Sequence, residues 1–372
     1  MTQLGTVPIG SFSIAFQANL GYNFLGCGRK SALILCDRDR YIRFNCEICP
    51  FHLSKGLAVP LSSYADERDF CFYAEVMLLE IGFIGAGKVG KALGLYFERH
   101  GLKIAGYYSK TAKSAQEAAL LTASTKFASI RDIADSSSII FIAVPDQVLE
   151  IIDCEAVALI NDHSISKEKT WIHVSGAHPS DILTGLKSAG CAVGSVHPLQ
   201  SFGEPSNSAE QLEKVWFTIE GTEKAVQAAQ TILDQTGGKY SLIEAENKPL
   251  YHTGACVISN FLVTLLESGI QLFAAAGMQR EDIMPAIEPL IKTTLSNVRE
   301  KGTIEALTGP IVRGDFNTIN DHLQALAAQL PCELDLYKSM ALKTVRMLEN
   351  KRLTPEQAAK IVQILEETSH AG

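Results

Sequence analysis

The sequence predicts an α/β fold, a doubly wound parallel sheet followed by an all-helical C-terminal domain. Three observations predict it. A glycine turn, Gly85-Ala-Gly87-Lys-Val-Gly90, follows the apolar run Met77-Leu-Leu-Glu-Ile-Gly-Phe-Ile84 and leads into a helical stretch, Lys88 to His100. Strand and helix patterns alternate from Met77 to about Ala245, as in a parallel sheet with crossover helices. Beyond Ala245 the strands stop, and apolar residues at helical spacing continue to Glu367.

Residues 1–76 stand apart. They are aperiodic, mix Gly, Asn, Arg and aromatics, and hold Cys27, Cys36, Cys46, Cys49 and Cys71 of the chain's 9 cysteines. Cys46-Glu-Ile-Cys49 has metal-ligand spacing, yet only His52 and scattered cysteines stand by to complete a zinc site, which normally brings a second close pair. A poorly ordered or non-native extension is the expectation, with a zinc site or a small redox appendage as alternatives, and Met77 as the start of the folded domain. From there, Lys103–Tyr108 reads as the second strand and Ala112 to Ala123 as a helix. Ser138–Val144 is a continuous apolar run, as expected of a strand buried on both faces. Trp171–Ser175, Ala192–Val196, Val215–Ile219 and Tyr240–Ile243 read as further strands, and Lys248 to Gly277 as one long helix. The domains expected are thus 77–245, nucleotide-binding, and 246–372, all-helical and concerned with substrate and dimerisation.

Composition narrows the function. A net charge of −8 without a basic run argues against nucleic acid and anionic membrane surfaces as partners. No apolar stretch reaches the roughly 18 residues of a membrane span. The N-terminus lacks the pattern of a secretory signal. An odd number of cysteines in a chain this long points to reduced thiols and a cytoplasmic protein.

The glycine turn carries the chemistry. In a strand–turn–helix, the first glycine (Gly85) permits the turn. The second (Gly87) lets backbone N–H groups approach a pyrophosphate, and the third (Gly90) lets helix pack on strand. With Lys88 and Val89 they form the phosphate cradle of a Rossmann domain, at a helix N-terminus that favours negative charge. The end of the second strand selects the cofactor, because a carboxylate there binds the ribose 2′-OH of NAD and repels a 2′-phosphate. Here stand Tyr107-Tyr-Ser-Lys-Thr111 with no acid nearby. Ser109 and Lys110 offer a donor and a cation, so NADP(H) is expected.

The glycine turn, Ser109-Lys110, Ala143-Val-Pro-Asp146 and His173-Val-Ser-Gly-Ala177 recur in NADP-linked reductases related to pyrroline-5-carboxylate reductase. Further stretches are His197-Pro-Leu-Gln-Ser-Phe202, 251–260 (YHTGACVISN) and 306–315 (ALTGPIVRGD). Together they resemble the Rossmann-like oxidoreductases that carry the C-terminal domain of unknown function 2520. The resemblance runs from Met77 to the C-terminus and leaves 1–76 unmatched. It implies an NADP-dependent reductase, and some members of that group are an alternative ketopantoate reductase of pantothenate synthesis.

Hydride transfer also needs a proton donor and groups that orient the substrate. In an open α/β sheet the ligand lies beyond the carboxyl ends of the strands. Val144, Pro145, Ser175, Gly176 and His197 all follow strands directly and are expected to line that crevice, with His197 either a substrate ligand or a loop-packing residue. His252, Cys256 and Asn260 fall at i, i+4 and i+8 on one helix face. The resemblance implies a lysine or histidine and an asparagine on this helix, pointed at the substrate carbonyl. His252 is then the proton donor, Lys248 one turn earlier the alternative, and Asn260 polarises the carbonyl; an interdomain hydrogen-bond pair is the other reading. Cys256 reads as packing. Thr308 and Arg313 lie in a turn bracketed by glycine and proline. Arg313 suits a planar carboxylate or a clamp on Asp315, and Thr308 a ligand contact or a helix cap. The expected protein is an NADPH-dependent reductase of a small carboxylate-bearing carbonyl compound, 2-ketopantoate first, without a metal and as a homodimer. An imine reductase, a non-catalytic NADP sensor, and a deazaflavin in place of NADPH stay open.

Overall fold

The computed structural model describes residues 79–367, and upstream of them only the backbone of six strands. These form one antiparallel meander, β1–β6 (Gly5–Ile9, Phe12–Phe16, Tyr22–Cys27, Lys30–Cys36, Tyr41–Asn45, Val59–Pro60). Cys46, Cys49, His52 and the start at Met77 lie outside the described residues. The chain divides into two compact units, Met1–Tyr251 and His252–Gly372. Lys248 therefore belongs with the sheet, although its helix, Lys248–Ile258, continues into the second unit.

The first unit is built on eight strands: β7 (Glu80–Ile84), β8 (Lys103–Tyr108), β9 (Thr125–Lys126), β10 (Ile139–Ile142), β11 (Thr170–His173), β12 (Ala192–Pro198), β13 (Trp216–Gly221) and β14 (Lys239–Leu242). Their order across the sheet is β14-β13-β12-β11-β10-β7-β8-β9. From β7 to β12 all pairings are parallel. This is the 3-2-1-4-5-6 order of a Rossmann sheet, with the switch point between β7 and β10. β13 then runs antiparallel to β12, with β14 parallel to β13. Burial on both faces explains the unbroken apolar runs. Ile139 and Phe141 belong to one core cluster with Ile81 and Phe83, while Ile140 and Ile142 pack with Ile84, Trp171 and Val193 on the other face. Phe83 stacks on Tyr107 at 5.2 Å and on Phe141 at 5.4 Å, tying three neighbouring strands together.

The second unit holds helices Asn260–Ala275, Arg280–Ala306, Pro310–Arg313, Phe316–Gln329, Leu334–Leu348 and Pro355–Glu367. Its core is formed by Ile319, Leu323, Val345, Leu348 and Ile361 with their neighbours. Arg352 donates to the carbonyls of Ile304 (2.8 Å) and Leu307 (2.9 Å), satisfying the end of the 280–306 helix.

Two expectations need correction. The helix predicted from Lys248 to Gly277 is broken at Ser259 (φ −116°, ψ −70°); a serine offers the backbone local alternatives to the helix ladder, which periodicity does not register. The helical stretch Ala245–Ala275 is also long and apolar enough to cross a membrane, and only 6% of its most apolar window is buried. A count of uninterrupted apolar residues missed it, because Gly, Ser, Thr and Asn punctuate the stretch without adding charge.

Candidate functional site

The three glycines of the turn have three different surroundings. Gly85 adopts φ +104°, and a Cβ there would stand 2.3 Å from the Ala143 carbonyl oxygen. Its N–H donates to the Tyr108 carbonyl at 2.8 Å, locking the turn to the end of β8. A Cβ on Gly90 would stand 2.3 Å from the Gly85 carbonyl oxygen, so helix Lys88–Arg99 packs directly on the turn. A Cβ on Gly87 meets nothing within 4 Å. Gly87 is the N-cap of that helix, without a side-chain cap and without an acid in the first turn. The space beside Gly87 is thus open at a helix N-terminus, the place where an anion binds. Lys88 is exposed and Val89 half-buried against the core.

Beyond Tyr108, Ser109 is half-buried and Lys110 exposed, just before the helix Ala112–Leu121. Because the Tyr108 carbonyl is bonded to Gly85, this pair is fixed beside the phosphate cradle. Lys110→Glu is expected to weaken NADPH binding about tenfold or more, the equivalent of about 1.4 kcal/mol. NADH binding should change much less; equal loss for both, read by fluorescence titration, would remove Lys110 from the 2′-phosphate.

The loops after β10, β11 and β12 carry polar groups. Val144 is half-buried and Pro145 exposed. Asp146 lies 3.8 Å from His178 Nε2, an exposed pair joining two loops. The Ser175 hydroxyl accepts from the N–H groups of Ala177 and His178, both at 3.2 Å, which shapes the turn around buried Gly176. The Ser175 N–H donates to His173 Nδ1 at 3.2 Å. That bond selects the His173 tautomer protonated at Nε2; burial, then the charge of Lys248, push its pKa down to about 3. Lys248 is fully buried. Its Nζ donates to the Ser175 carbonyl at 2.8 Å and to the Ser195 hydroxyl, and lies 4.0 Å from Glu220 Oε1. Burial pulls its pKa down to about 8, against the attraction of Glu220 and Asp146. His197 Nδ1 is 2.8 Å from the Tyr251 hydroxyl, with the rings edge to face.

In the helical unit, His252 Nε2 lies 3.4 Å from Cys256 Sγ. Asn260 is exposed at the start of the helix after the break, so the expected polar stripe is interrupted there. Thr308 is exposed and does not cap the Pro310–Arg313 helix, whose N-cap is Gly309 at φ +100°; a left-handed residue at that position displaces the threonine by one. Arg313 Nη2 stands 4.0 Å from Asp315 Oδ2, a long and exposed contact. Asp315 instead caps the next helix, accepting from the Thr318 N–H (3.2 Å) and hydroxyl (2.7 Å).

Glu220, Ser195, His173 and Tyr251 were not singled out from the sequence for these contacts. One signal was present for Glu220: a carboxylate ending the apolar strand Trp216-Phe-Thr-Ile-Glu220 is rarely buried without a partner.

Residues 73–198 match the Rossmann-like domain family, and residues 215–344 match the domain of unknown function DUF2520. Among solved structures, protein TM1727 from Thermotoga maritima is 23% identical, covering 73% of this chain and 100% of that one, with a TM-score of 0.57. BF3122 from Bacteroides fragilis, proposed to be an NADP oxidoreductase, is 21% identical, covering 72% and 98%, with a TM-score of 0.57. Pyrroline carboxylate reductase from Plasmodium falciparum, solved with NADP bound, is 15% identical, covering 78% and 99%, with a TM-score of 0.50. A search of curated proteins found no match.

Proposed function

We propose that this chain, a Rossmann-like domain joined to a DUF2520 domain, is an NADPH-dependent reductase of a small carboxylate-bearing carbonyl compound, with 2-ketopantoate the first substrate to try. The observation that carries the cofactor is Gly87, the one glycine of the turn whose missing side chain leaves open space beside unpaired helix N–H groups. Ser109 and Lys110, with no acid at the end of β8, favour the phosphorylated dinucleotide. The Plasmodium reductase that shares this fold holds NADP, which agrees with that choice.

The cofactor supplies the hydride; the chain must bind, orient and supply a proton. Lys248 is the candidate that the sheet itself holds at the carboxyl ends of its strands. Two of its three N–H groups are committed to Ser175 and Ser195, and the third is the proton donor to the developing alkoxide. The Ser175–Gly176 turn adjoins it, and His197 stands two residues beyond Ser195 on β12. His252, Asn260, Thr308 and Arg313 remain the helical unit's candidates for the carbonyl and the carboxylate. Reduction of a cyclic imine is the second reading, favoured by the likeness to a pyrroline carboxylate reductase.

NADPH oxidation against a panel of 2-oxo acids and cyclic imines separates these readings. Turnover of a 2-oxo acid is expected. Turnover of imines alone would select the second reading, and tight NADPH binding with no turnover would make the chain a cofactor sensor.

The protein is also proposed to be cytosolic and homodimeric. Phe261 (61% exposed), Val263 (67%), Leu290 (62%) and Leu295 (60%) stand out on the long helices of the second unit. Exposed apolar side chains on these helices suit a second copy of the same chain. Light scattering should give twice the chain mass, falling to one chain for Phe261→Glu/Val263→Glu. A monomeric wild type, or one recovered only with detergent or lipid, would contradict this.

A further inference from the structure

Three adjacent strands carry a polar row into a buried sheet. The register sets His173 of β11 beside Ser195 of β12, and Ser195 beside Glu220 of β13. Glu220 is only 4% exposed. Its Oε1 accepts from the Ser180 N–H at 2.8 Å and its Oε2 from the Ser180 hydroxyl at 2.7 Å. Two neutral donors fix the carboxylate's orientation but leave its buried charge uncompensated. Among the described residues, the cation paired with it is Lys248, with Nζ 4.0 Å from Oε1. Lys248 for its part is held by a carbonyl and a hydroxyl, both neutral. Each charge is therefore the other's direct counter-charge. One loop supplies both anchors, since the Ser175 carbonyl holds the amine and Ser180, five residues on, holds the acid.

We propose that Glu220 is the positioning residue for Lys248, keeping the ammonium charged and aimed at the Ser175 turn, and so setting the pH range of turnover. This rests on Lys248 being the proton donor. Glu220 itself touches neither substrate nor cofactor. The other titratable groups facing Lys248 are Asp146, beyond β10, and His173. Asp146 is half exposed and solvated, and His173 is held neutral, so neither replaces Glu220 as a buried counter-charge.

The test measures Lys248 itself before it measures activity. The full chain, labelled with carbon-13 at the lysine ε position, is titrated by NMR without cofactor, and the pH profile of kcat/KM is recorded on the same samples. In Glu220→Gln the Lys248 midpoint should fall by about one to two pH units, the usual effect of losing an opposite charge at this range. The alkaline limb of the profile should fall with it. Glu220→Asp keeps the charge and should restore most of both. Ser180→Ala, which only loosens the carboxylate, should shift both in the same direction by less, and serves if Glu220→Gln does not fold. An unmoved NMR midpoint would overturn the role of Glu220 while leaving Lys248 as donor. A midpoint that falls without any move of the profile would overturn Lys248 as donor, and the link to turnover with it.

Discussion

Gly87→Val is expected to leave the melting temperature close to that of the wild type while NADPH affinity falls about 100-fold or more, roughly 2.7 kcal/mol. The new side chain has room in the protein, because nothing lies within 4 Å of its Cβ. It occupies the space through which phosphates approach the N–H groups at the start of helix Lys88–Arg99. Gly90→Ala should do the reverse in kind. Its Cβ would sit 2.3 Å from the Gly85 carbonyl oxygen, so helix and turn must separate, at a cost of about 1–3 kcal/mol. Thermal denaturation and NADPH titration of both variants check the pair. A destabilised Gly87→Val with normal NADPH binding would mean that the turn serves packing alone.

Lys248→Met should lower kcat by about 10²–10⁴ with NADPH binding near normal, the usual loss for a positioned acid. The single variant leaves Glu220 buried without its counter-charge, a destabilisation of about 3–5 kcal/mol by the general rule for broken buried pairs. Lys248→Met/Glu220→Gln removes both charges and should recover much of that stability while remaining equally slow. A double variant with wild-type kcat would transfer the acid's role to His252. Stability also carries a pH signature. The folded-state pKa of Lys248 is lowered from 10.5 to about 8, so between those values the unfolded chain binds more protons than the folded one. Wild type should therefore gain stability relative to Lys248→Met as pH rises from about 8 to about 10.5, by about 3 kcal/mol in all. Chemical denaturation at pH 7.5 and 10.5 measures it.

Much of the fold was legible because its signals are local. The apolar runs that became β7, β10 and β11 are buried on both faces, and the glycine turn joins strand to helix within a dozen residues. Ser109 and Lys110 follow from the same turn, since Tyr108 and Gly85 share a hydrogen bond. The two-residue strand β9, Thr125–Lys126, carries too few residues for a period to show. The antiparallel direction of β13 has no local mark either, because a buried strand reads alike in both directions. The row His173, Ser195 and Glu220 depends on register between segments that lie more than 20 residues apart. Lys248 was legible as a lysine one turn from His252. That its amine is held by the sheet follows only from where Ser175 and Ser195 stand.

The central claim is that the first unit binds NADPH through the Gly87 cradle and selects it by Ser109 and Lys110. Calorimetric titration of the full chain with NADPH and with NADH tests it most directly. One NADPH bound per chain, at least about tenfold tighter than NADH, is the expected result. No binding of either nucleotide, or NADH bound as tightly as NADPH, would contradict it.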